Sequence, residues 1–101
     1  MEKVIRDGKV GVLISSGFGA GFGSWGAPEE AILSPTLIEL VENEKFDEAI
    51  SFVEKTWEGI YTGGVYDLYV EWVPEGSEFI IEEYDGSETL MLKTDYNWIT
   101  V

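Results

Sequence analysis

Residues 15–26, "SSGFGAGFGSWG", hold five glycines in twelve positions, with Phe18, Phe22 and Trp25 set among them. No helix or strand tolerates that density of glycine, so the stretch must be a loop, and it divides the chain. What precedes it reads as a hairpin. In "KVIR-DG-KVGVLIS", Asp7-Gly8 supplies a two-residue turn of positive φ. The run from Val10 to Ser15 is nearly all apolar, as expected of a central strand buried on both faces, and Gly11 within it admits a close neighbour.

The pattern after the loop is helical. Ser34-Pro35 fits an N-cap followed by proline in the first turn. Leu37, Ile38, Leu40 and Val41 form an apolar stripe that Asn43 ends. A second helix is expected over 47–57, with Phe46, Ala49, Ile50, Val53 and Trp57 at helical spacing. Pro28 to Leu33 fits one short turn, with Glu29 and Glu30 at its positive end. From Gly63-Gly64 onward the period becomes two. "DLYVEWV", "EFIIEEY" and "TLMLK" read as a β-meander, and "NWITV" as a last strand. The expected architecture is one domain over 1–101, α+β, with a mostly antiparallel sheet and two helices on one face.

Composition narrows the chemistry. The chain has no cysteine and no histidine. Disulfides, thiolate catalysis, the commonest general base and the commonest metal ligand are thereby excluded. Twenty acidic residues face six basic ones, a net charge of −14. A field of that sign repels nucleic acid and anionic lipid. The N-terminus lacks the pattern of a signal peptide, and no apolar run approaches the ~20 residues of a membrane span. The expectation is a cytoplasmic, non-catalytic protein with no cofactor and no metal. The acids of "EEYDGSE", Glu82 to Glu88, read as a solvated hairpin, since the spacing of a calcium loop is absent.

Two functional readings follow. In the first, glycine N–H groups from Gly17 to Gly23 form a nest for phosphate or ribose. Ser16, Gly17, Phe18, Gly19, Ala20, Gly21, Phe22, Gly23 and Trp25 are then the ligand-binding residues. Phe18, Phe22 or Trp25 stacks on a base, Tyr84 and Asp85 line the pocket edge, and Arg6 and Lys9 offset the acidic field. The small-molecule ligand is a nucleotide, cyclic or of ADP-ribose type, sequestered without turnover. The loop departs from both common nucleotide fingerprints, because no Lys-Ser/Thr follows and Phe22 stands where G-x-G-x-x-G needs glycine. The same pattern also fits a wide turn pinned to the core by its rings. In the second reading, the acidic surface imitates DNA and inhibits a basic protein. A homodimer is expected to cover the exposed rings and "NWITV".

Asp7-Gly8-Lys9-Val10, Gly17-Phe18-Gly19-Ala20-Gly21, Glu71-Trp72-Val73-Pro74-Glu75-Gly76 and Glu83-Tyr84-Asp85-Gly86-Ser87-Glu88 resemble a family of small bacteriophage proteins along nearly the whole chain. Phe22 replaces the family's tryptophan. The resemblance implies a phage origin and a place in the host cytoplasm, and it carries no catalytic residues. By analogy, phage proteins of this size counter host defence, either by sequestering a nucleotide signal or by blocking a basic host defence protein.

Overall fold

The computed structural model describes residues 1–93. The fold is α+β, with antiparallel sheets throughout. Strand β1 (Ile5–Arg6) turns through Asp7 and Gly8, at φ +51° and +75°, into β2 (Lys9–Ser15). Positive φ at both central residues gives the turn the twist that a hairpin needs. Strand β2 is central, with β1 on one side and β3 (Leu68–Pro74) on the other. Val12, Leu13 and Ile14 are completely buried, so both faces of β2 are covered, as the continuous apolar run requires.

Helix α1 (Glu29–Ile32) is a single turn. Helix α2 (Pro35–Glu42) starts where the Ser34 hydroxyl accepts the Leu37 N–H at 3.2 Å and ends at Asn43. It packs on β2 and β3. Ile38 lies over Gly11, where a side chain would find Ile38, Val70 and Trp72 all within 3.3 Å. Helix α3 (Phe46–Thr56) begins and ends one residue earlier than its spacing suggests, and packs on α2 through Ala49 and Val53.

The expected meander is the main correction. β3 pairs with β2 in register from Lys9↔Pro74 to Ser15↔Leu68. Among the described residues, β4 (Phe79–Tyr84) and β5 (Ser87–Leu92) pair with each other and not with β3, as a separate hairpin. Its turn is again Asp-Gly, with Asp85 and Gly86 at φ +50° and +88°. One face of this hairpin, carrying Phe79, Ile81, Leu90 and Leu92, packs against the common core. Periodicity of two marks each strand but not its partner, which is why the break between β3 and β4 was hidden. "NWITV" lies outside the described residues.

Candidate functional site

The glycine loop leaves β2 at Ser15 and passes into a short 3-10 turn at Gly23–Trp25. Its glycines are set by close approach. A Cβ at Gly17 would strike the Asp67 carboxylate, and one at Gly21 the Trp25 ring, each at 2.5 Å. Two more glycines clasp the loop from outside. A Cβ on Gly64 would fall on the Ala20 carbonyl, and one on Gly86 would lie 2.7 Å from the Ala20 nitrogen. Gly64 and the Asp85-Gly86 turn therefore both press against the loop at Ala20. Gly19, at φ +70°, is different: its Cβ position is open.

The centre of this clasp is Glu88. Its carboxylate is buried, at 3% exposure. Oε1 accepts the Ser15 N–H at 2.8 Å. Oε2 accepts the Phe22 N–H at 2.9 Å, the Ser24 N–H at 2.8 Å and the Ser24 hydroxyl at 2.6 Å. Four neutral donors converge on one anion, an arrangement of charge-assisted hydrogen bonds that offsets its loss of hydration. The donors are Ser15, Phe22 and Ser24, not the glycines expected to form a nest, and what they hold is the chain's own carboxylate.

Other bonds complete the closure. The Ser15 hydroxyl donates to the Ala20 carbonyl, and Gly19 N–H donates to Asp85 O at 2.5 Å. Tyr61 Oη donates to Gly19 O and Ser87 Oγ to Ser16 O, both at 2.9 Å. The Glu83 carboxylate accepts the Gly86 N–H at 2.8 Å and reaches the Trp25 indole N–H at 3.4 Å.

The expected site residues separate into two groups. Ala20, Gly21 and Phe22 are buried, and Phe22 is among the largest fully buried side chains. Its ring fills the core and offers no face to a base. Phe18 and Tyr84 are 72% and 78% exposed and meet edge to face, with ring centroids 6.3 Å apart. They border a cavity of about 230 Å³ whose rim carries Glu82 and Glu83. Trp25, part exposed, leans on Tyr61 at 5.3 Å. Ser16, Gly17, Gly19, Gly23 and Asp85 belong to the loop and the turn that holds it.

Arg6 and Lys9 lie at the far end of β2 from the loop, about 20 Å away for a strand of this length. Arg6 faces Glu42, donating Nη1 and Nη2 to its two oxygens at 2.7 and 2.8 Å, and stacks on Trp72 at 4.9 Å. The nest therefore has no help from these cations. Near β3, the Tyr69 hydroxyl is pushed up to about 12, chiefly by burial, then by its hydrogen bond to Glu71 and by the charges of Glu71 and Glu88.

Sequence reading missed Glu88 because it sat in a run of acids that looked uniformly solvated. The signal was alternation. Glu88, Leu90 and Leu92 share one face of β5, so the carboxylate had to point inward with two apolar side chains. No protein-family model, curated protein or solved structure matches the chain. Among the described residues, no helix is long and apolar enough to cross a membrane, and no three acidic side chains converge as a metal site would require.

Proposed function

We propose that this chain is a binding protein without turnover, whose acidic surface engages a basic partner. The observation that supports this best is the inward closure of the loop on Glu88. The N–H groups of Gly19, Ala20 and Phe22 are bonded within the chain, and Glu88 brings a negative charge to the loop that opposes an anionic ligand. Two of the six cations are themselves neutralised, Arg6 by Glu42 and Lys93 by Glu78. With the phage resemblance, the partner is a nucleic-acid-binding protein of the host, blocked by carboxylates that stand where phosphates would. Its affinity falls steeply with salt.

The test is capture on the immobilised chain from host lysate at about 50 mM salt, followed by competition with duplex DNA. A retained basic protein that DNA displaces supports the reading. Retention that DNA leaves untouched, or no retention, counts against it.

Sequestration of a nucleotide-type ligand keeps one favourable observation, the cavity between Phe18 and Tyr84. A base would stack there and donate amino groups to Glu82 or Glu83. The same carboxylates oppose phosphate, so this reading expects nucleosides to bind more tightly than their phosphates. Calorimetry with matched pairs checks it, and the reverse order would remove it.

A further inference from the structure

Beside the outer edge of β3 runs a groove of about 350 Å³. One wall is strand, with Tyr69, Val70 and Trp72. The other is the end of α2 and the turn into α3, with Glu42, Glu44 and Phe46. Among the described residues β3 pairs with β2 alone, so its second edge has no strand partner there, and residues of β3 line this groove. An edge strand beside a helix, with apolar walls between them, is the geometry in which extended peptides add to a sheet.

The chain also shows which side chain such a groove accepts. Arg6 reaches from β1, on the far side of β2, to Trp72 of β3 and Glu42 of α2. Its guanidinium lies on the Trp72 ring and forks onto Glu42, and both of these partners line the groove. Ring and carboxylate together form a guanidinium subsite. Farther along, Glu44 lies on the helix side of the strand. Glu71 lies on the opposite face, where its carboxylate accepts the Tyr69 hydroxyl at 2.9 Å. Side chains of an added strand alternate between these two faces, so a carboxylate stands on whichever face the arginines take.

We infer that the free edge of β3 takes an extended, arginine-bearing segment of a basic partner by strand addition. The inference rests on the acidic-surface reading above and gives that surface a specific face.

The probe is a fluorescent peptide of alternating arginine and valine, seven residues long to match β3. A control peptide of equal charge carries proline in place of valine, which removes the main-chain donor of every second residue. Polarisation is read at low and physiological salt. Expected is binding of the first peptide and not the second, weakened roughly tenfold when Glu44→Lys and Glu71→Gln are combined. Glu54→Lys, on the exposed surface of α3, is expected to leave it unchanged. Thermal melts confirm that each variant is folded. Equal binding of both peptides, or equal weakening by Glu54→Lys, would overturn strand addition while leaving the acidic-surface reading intact. So would cross-strand contacts to β3 in the free chain, or a dimer in light scattering whose interface protects β3. Failure of both this binding and the lysate capture would overturn both.

Discussion

The Glu88 carboxylate accepts both the main-chain N–H and the hydroxyl of Ser24, at 2.8 and 2.6 Å. One side chain from the last described strand thereby fixes the first turn after the glycine loop. Removing it leaves several buried N–H groups without a partner, each a cost of about 1–3 kcal/mol. Glu88→Ala is expected to lose at least about 3 kcal/mol and to lower the melting temperature accordingly. Glu88→Gln, which keeps one acceptor, falls between. Acetate or formate should raise the melting temperature of Glu88→Gly by entering the vacated nest, with no such effect on Glu88→Leu. A glutamate-free nest indifferent to small carboxylates would show that the donors are not arranged for an anion.

The loop glycines are expected to differ sharply in tolerance. Gly19→Ala meets open space and bears only the strain of φ +70°, a loss of about 1 kcal/mol. Gly64→Ala drives a methyl group into the Ala20 carbonyl, and Gly86→Ala combines φ +88° with a contact of 2.7 Å to the Ala20 nitrogen. Both should cost several-fold more than Gly19→Ala, on the order of 3 kcal/mol. Chemical denaturation of the three variants decides this. Equal losses would mean that the clasp is looser than described.

The rings of the loop should part company in the same way. Phe22→Ala empties a core position and is expected to lose about 3–5 kcal/mol. Phe18→Ala and Tyr84→Ala remove exposed rings and should each stay within about 1 kcal/mol of the parent. If the cavity between Phe18 and Tyr84 holds a ligand, those two variants lose binding with near-normal melting, and paired melts and titrations separate the cases.

Tyr69 provides a pH dependence. Its hydroxyl titrates near 12 in the folded chain, above its ordinary value of 10. A raised folded value means that the neutral phenol is favoured in the native state. This contribution is therefore complete below pH 10 and is lost as pH climbs from 10 through 12. Tyr69→Phe should flatten the fall in stability over that interval and delete a component near pH 12 from the tyrosinate absorbance titration. An unchanged titration would place that component elsewhere.

Where local chemistry decides structure, the sequence is legible. Asp7-Gly8 makes its turn because both residues accept positive φ, and Ser34-Pro35 starts α2 because a hydroxyl and a fixed φ suit that place. The apolar stretch through Val12, Leu13 and Ile14 announces the central strand. What stays hidden is partnership. Nothing in the residues 68–74 says that they return to β2 instead of continuing to β4, because the pairing is decided by distant packing. The loop was legible as a loop, but not its acceptor or its donors, because Ser15, Phe22 and Ser24 are brought to Glu88 by a hairpin distant in sequence. Arg6 was misplaced for a similar reason: its neighbours in sequence are near the turn, while the strand carries the loop to the other end of the sheet.

The bond from Ser15 to Glu88 spans 73 residues. On the ribosome, where chains grow at about 5–20 residues per second, Ser15 emerges roughly 4–15 seconds ahead of its acceptor. Throughout that interval the glycine stretch has no anion to organise it, and the aromatic side chains within it have no settled place. The loop that looks like the start of the fold thus cannot be completed before Glu88 has emerged.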